Sequence, residues 1–135
     1  MELKEQKFGI EIEMTGVTRE QAARVTAEYF GTSSRYIGTY YDTYAAIDGQ
    51  GRQWKFMSDS SINAQRTVHG RTVSAGVEYR TEMVSPICCY EDIVPIQEII
   101  RKLKDAGAIT NESCGIHVHI NAEPYDARTL RNSTN

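Results

Sequence analysis

Apolar and polar residues alternate with a period of two in three separated stretches of the chain. In Phe8-Gly9-Ile10-Glu11-Ile12-Glu13-Met14, a β-strand's pleat puts Phe8, Ile10, Ile12 and Met14 on one side and Glu11 and Glu13 on the other. In Gly115-Ile116-His117-Val118-His119-Ile120 the same spacing gives one face to two imidazoles and the other to Ile116, Val118 and Ile120. Between them, residues 77–84 read as a strand with Glu78, Arg80 and Glu82 on a common side, ended by Pro86, which supplies no ladder donor.

Two segments carry the helical period instead. Residues 18–30 open on a capping box, Thr18 with Gln21 three positions on, and carry Ala22, Val25, Tyr29 and Phe30 along one stripe before Gly31. Residues 91–106 place Ile93, Ile96, Ile99, Ile100 and Leu103 on one face, with Pro95 tolerated in the first turn and Arg101, Lys102 and Lys104 in the last. Residues 36–47, rich in aromatic and β-branched side chains, and residues 53–57 predict a hairpin across Asp48-Gly49-Gln50-Gly51. Residues 60–76 show no sustained apolar period and predict a long loop of the kind that serves as a lid. Residues 125–135 start like a further helix. The order predicts an α+β fold: a mostly antiparallel sheet with both helices packed on one face, its ionisable face left open.

Composition narrows the picture. A chain of 135 residues, 40% hydrophobic and 24% charged, is one soluble globular domain. Its net charge of −3 and lack of a basic run exclude tracking of a phosphate backbone, so nucleic acid is not an expected partner. Three cysteines form neither a disulfide framework nor a paired CxxC site. The N-terminus lacks an apolar signal region and no run is long enough to span a membrane, so a cytoplasmic protein is expected.

If the three alternating strands are neighbours, one face gathers Glu11, Glu13, Glu78 and Glu82 with His117, His119 and Arg80. Paired acids on a strand's outer face are commonly just solvated. Their recurrence changes the weighing, because like charges this close raise one another's pKa unless a cation compensates. Carboxylate oxygens suit Mg²⁺, and imidazole with carboxylate also suits Zn²⁺ or Mn²⁺. His69 reads as a surface histidine. Trp54 and Tyr36, Tyr40, Tyr41 and Tyr44 offer either a stacking platform or, more ordinarily, core and cross-strand packing. Cys88 and Cys89 resemble small hydrophobes, whereas Cys114 sits beside the histidine strand. No phosphate-binding glycine loop is present. Two readings from different classes stand at this point. One is a metal-dependent hydrolase using His117, His119 and a glutamate; the other is a non-catalytic binding or assembly module.

Four blocks in order, FGIEIEM (8–14), MSDSSI (57–62), VEYRTEMVSPI (77–87) and CGIHVHIN (114–121), resemble the amidoligase family, among the carboxylate–amine ligases related to glutamine synthetase and glutamate–cysteine ligase. The resemblance implies a curved, glutamine-synthetase-like antiparallel sheet that binds Mg²⁺ (or Mn²⁺), ATP and an amino-acid-like carboxylate. It implies an ATP- and Mg²⁺-dependent ligase that makes an acyl phosphate, then an amide with an amine. Glu11, Glu13, Glu78, Glu82 and His117 are implied around metal, Glu11, Glu13 and His119 around nucleotide, and Glu82, His117 and Arg80 in catalysis. Asp59-Ser60-Ser61 stands where the family usually has Asp-Gly-Ser, so Ser60 is strained if that glycine supplies a positive φ. Relatives usually continue well past the histidine strand. Residues 1–135 are therefore expected to be a truncated single domain, an incomplete or inactive version that completes itself by homo-oligomerisation or with a missing C-terminal half.

Overall fold

The computed structural model describes residues 6–121. The predicted helix start at 125–135 lies outside them. The chain runs β1 (Lys7–Met14), α1 (Arg19–Phe30), β2 (Ser34–Gly38), β3 (Thr43–Ile47), β4 (Gln53–Met57), β5 (Gln65–Val68), β6 (Arg71–Ser74), β7 (Thr81–Val84), α2 (Ile93–Asp105) and β8 (Ile116–Asn121). Six strands form one sheet in the order β2-β3-β4-β7-β1-β8, and every pairing in it is antiparallel. This is an α+β fold, as the alternation and the two helical stripes require.

The capping box forms as read. Thr18 Oγ1 accepts from the Gln21 amide at 3.1 Å, and Gln21 Oε1 accepts from the Thr18 amide at 3.2 Å. Gly31, at φ 73°, ends α1. The helix buries Ala22, Ala23 and Ala27, whose small side chains let its axis approach β3 and β4 closely, while Val25, Tyr29 and Phe30 pack at its margin. From the sheet, Trp54, Phe56 and Met83 are fully buried beside Ile12 and Met14, and α2 adds Ile96, Ile99 and Leu103. Burying side chains of this size contributes about 1.5–3 kcal/mol each.

Arg52 locks this half of the molecule. Its guanidinium donates to Asp48 Oδ2 at 2.8 Å and to both Asp92 oxygens at 2.8 and 3.1 Å, tying the β3–β4 turn to the entrance of α2. Asp48 also accepts from Trp54 Nε1 at 3.0 Å, so a core ring is anchored to the same cluster.

Four expectations are corrected. Residues 36–47 are two strands, so the hairpin is a three-stranded meander with an extra turn at 39–42. Residues 60–76 hold the β5–β6 hairpin rather than a structureless loop; it turns at His69 and Gly70, both at positive φ. Residues 77–79 form a 3₁₀ turn, and the strand begins only at Thr81. Nor do the helices seal the whole reverse of the sheet: Ile116 and Val118 on β8 are 65% and 48% exposed. Below them an apolar groove of ≈ 230 Å³ runs between Ile12, Ile116, Ile100, Leu103 and Ile109.

Candidate functional site

β1 lies between β7 and β8, and its register decides which polar side chains meet on the face away from the helices. Glu13 stands opposite Glu82 on β7, and Glu82 stands opposite Met57 on β4. Directly opposed residues share a face, so the two carboxylates point the same way. On the other flank Glu11 pairs with His117, and His119 falls opposite Gly9. The predicted gathering of Glu11, Glu13, Glu82, His117 and His119 on one surface is therefore met.

Asp59, on the loop leaving β4, completes the centre. Oxygens of Glu13, Asp59 and Glu82 all lie within 4.8 Å of one another. Asp59 Oδ1 accepts from the Ser61 amide at 2.9 Å and its hydroxyl at 2.7 Å, and the Ile62 amide returns to the Asp59 carbonyl at 3.1 Å. This tight turn fixes the carboxylate. Ser60 is not among the residues at positive φ, so it replaces glycine in this turn without strain. Glu13 is fixed as well, its Oε1 accepting from the Gly115 amide at 2.8 Å. A Cβ on Gly115 would lie 3.6 Å from that oxygen and 3.7 Å from His117 Nε2, so Glu13 and His117 converge on the same spot.

The electrostatics follow. Burial, then the charges of Glu11, Asp59 and Glu13, push Glu82 up to about 7. Burial and the hydrogen bond to Asp59 raise Glu13. Burial also pushes Asp59 upward, but the bonds from Ser61 and Glu13 outweigh it and hold this carboxyl below its ordinary value. Glu82 thus holds its proton to a higher pH than an ordinary carboxyl, chiefly because it is partly buried and then because other acids surround it. Three carboxylates with no thiolate are a donor set for a hard divalent ion such as Mg²⁺ or Mn²⁺, so these residues fit the metal the sequence implied.

The other predicted residues sit apart from the cluster. His119 Nε2 lies 3.6 Å from Glu11 Oε2 on an exposed part of the face. Arg80 donates from Nε to the Ile62 carbonyl at 3.0 Å, bracing the Asp59 turn, and among the described residues no ion pair joins it to the acids. Glu78, on the 3₁₀ turn, is exposed and lines a separate cleft with Thr18, Arg19, Glu20, Asp42 and Tyr44. The expectation that Glu78 joins Glu82 on a strand face fails because the strand starts after it. His69 is exposed at a hairpin tip, and Trp54 is a core residue. Burial pushes the Cys88 thiol up to about 11, which makes it a packing group. Asp59 was the residue that strand periodicity missed: a lone acid in a polar loop has no partner in the sequence.

Three carboxylates from three segments thus meet at one point on an antiparallel sheet whose other face packs against helices. The family model described as "Putative amidoligase enzyme" matches residues 4–135, and the chain belongs to that family. No curated protein and no solved structure matches it. No helix among the described residues is long and apolar enough to cross a membrane.

Proposed function

We infer that the protein is an ATP- and Mg²⁺-dependent carboxylate–amine ligase, its sheet the catalytic layer of a glutamine-synthetase-like fold. The convergence of Glu13, Asp59 and Glu82 within 4.8 Å carries this reading, in a chain that belongs to the amidoligase family. Those three residues hold the divalent ion. When bound, the ion neutralises charge on a transferring phosphoryl group and orients it. The chain's own residues supply position. Gly115's amide and the Ser61 turn fix two of the carboxylates before any ligand arrives, so little reorganisation is left for the moment of reaction. Glu11, His117 and His119 extend the polar surface along β1 and β8, where the anionic end of a nucleotide and an amino-acid-like carboxylate meet. Arg80 is a positioning residue through the Asp59 turn. An all-oxygen cluster does not favour the hydrolase reading, which needs both imidazoles on one ion.

Calorimetric titration of ATP with Mg²⁺ into wild type and Glu13→Gln tests the site. Glutamine preserves the acceptor for Gly115 and removes the charge, so binding is expected to weaken at least about tenfold, one lost charge-assisted contact. ADP release is expected only when a carboxylate and an amine are both supplied. Equal binding by the two proteins, or none by either, would remove the ligase reading.

A further inference from the structure

The turn between β2 and β3 is built in an unusual way. Gly38, Thr39 and Asp42 stand at φ 88°, 65° and 52°. For threonine, a β-branched residue, that is a sparsely populated conformation, and such geometry persists only where the surroundings hold it. Here they do. The buried Arg19 donates to the Asp42 carboxylate at 2.7 Å and to its carbonyl at 3.2 Å, and Tyr36 donates to the same carboxylate at 2.7 Å. Arg19 also grips the carbonyls of Val77 and Arg80, at 3.0 and 2.7 Å. The Ser58 amide, next to Asp59, donates to the Tyr41 carbonyl at 2.9 Å.

What this scaffold presents is two aromatic rings in water. Tyr40 is 93% exposed and Tyr41 52%, and their rings meet edge to face with centroids 5.3 Å apart. Tyr36 and Tyr44, a few residues away, pack against each other across the β2–β3 ladder instead. Tyr40 and Tyr41 wall a cleft of ≈ 490 Å³ with Met57, Ser58, Asp59 and Glu82. That volume lies within the range of small-molecule sites. Met57, Glu82 and Glu13 are successive partners across β4, β7 and β1. Asp59 and Glu82 belong both to the lining of this cleft and to the carboxylate centre, so the aromatic wall and the centre border the same space.

We propose that Tyr40 and Tyr41 form a stacking wall for the planar heterocycle of a ligand whose anionic end rests on the cation held by Glu13, Asp59 and Glu82. This rests on the carboxylate cluster holding a divalent ion. Stacking on aromatic faces is tolerant of ring identity, and Met57 supplies a polarisable floor that adapts to the ring. Arg19 is the positioning residue that holds the turn at the cleft's rim.

The test compares Mg²⁺–ATP with Mg²⁺–tripolyphosphate, which has the anionic end and no ring, by calorimetry on wild type and on Tyr40→Ala, Tyr41→Ala and Tyr41→Phe. Both rings are exposed, so the alanine variants are expected to unfold at the wild-type midpoint. In wild type Mg²⁺–ATP binds more tightly than Mg²⁺–tripolyphosphate. Either alanine variant weakens Mg²⁺–ATP about tenfold and leaves tripolyphosphate unchanged, and Tyr41→Phe restores the difference. Alanine variants that bind Mg²⁺–ATP as wild type does, or that weaken both ligands equally, overturn the stacking wall while leaving the metal centre standing. A wild-type protein that binds neither Mg²⁺ nor Mg²⁺–tripolyphosphate overturns the metal reading and the wall together.

Discussion

Two acidic clusters in this molecule show what a neighbouring cation does. Around Arg52, Asp48 and Asp92 are deeply buried, yet both carboxyls are held below the ordinary range, Asp92 chiefly by the guanidinium and Asp48 by Trp54, backbone amides and Arg52 against the cost of burial. Around Glu82 the acids also converge, but there burial and neighbouring charge push Glu82 up to about 7 and burial and a hydrogen bond to Asp59 raise Glu13, while only Asp59 is held low, by its hydrogen bonds. The first cluster is complete within the chain. In the second, backbone amides fix Glu13 and Asp59, and among the described residues no ion pair reaches Glu13, Asp59 or Glu82.

The largest effect should come from opening the closed cluster. Arg52→Met leaves two buried carboxylates without their counter-charge, and the fold should lose about 3 kcal/mol at pH 7 in denaturant titrations, with no recovery on adding Mg²⁺. The pH dependence has a definite sign. Asp48 and Asp92 have depressed folded pKa values, so their contribution is present above the unfolded value of 3.8 and is lost as pH falls through the folded ones. The penalty in Arg52→Met should therefore fade in acid. A variant as stable as wild type at pH 7 would show that the guanidinium is not what satisfies these acids.

The open cluster should respond the other way. Glu82 has a folded pKa of about 7 against 4.5 unfolded, so its contribution to stability is present below 4.5 and lost as pH rises through about 7. At pH 8 Glu82→Gln should be more stable than the metal-free wild type by about 1–2 kcal/mol, allowing for partial solvent screening, and equal to it at pH 4. Mg²⁺ at a hundredfold excess over its dissociation constant should stabilise wild type by about 2.7 kcal/mol and do far less for the variant. Thermal unfolding with and without chelator at the two pH values reads both. If Glu82→Gln is less stable than wild type at pH 8, the two clusters do not differ in the way their geometry says.

How each cluster could be read from the sequence follows from the same physics. Strand alternation in β1 and β8 has a period of two, so the common face of Glu11, Glu13, His117 and His119 was visible, as was the apolar stripe of α2. The β5–β6 hairpin was not. Residues 66, 67 and 71–74 are exposed, so no apolar face existed to mark a period, and only the β-branched Thr67, Val68, Thr72 and Val73 around His69-Gly70 signalled pairing. Glu78 was misplaced because alternation continues in the letters where the chain turns at Gly76 and forms a 3₁₀ turn. Periodicity passed over Asp59, to which only the family block at 57–62 pointed, and over Arg52, for a shared reason. Each acts through partners more than twenty or thirty residues away, Glu13 and Glu82 for one and Asp92 for the other, and no local pattern encodes that proximity.

A third pair tests whether the contrast depends on shielding from water rather than on opposite charge alone. His119 and Glu11 approach to 3.6 Å, closer than a random surface pair, but their side chains are 62% and 35% exposed. Solvent screening and the entropy of holding two side chains together leave such a pair worth about 0–1 kcal/mol. His119→Gln should therefore shift stability by less than about 0.5 kcal/mol in denaturant titrations. It should also leave Mg²⁺ binding unchanged, since the imidazole lies outside the Glu13–Asp59–Glu82 centre. A loss of Mg²⁺ affinity in His119→Gln, measured by the same titration, would move the boundary of that centre one row along β8 and make the histidine strand part of it.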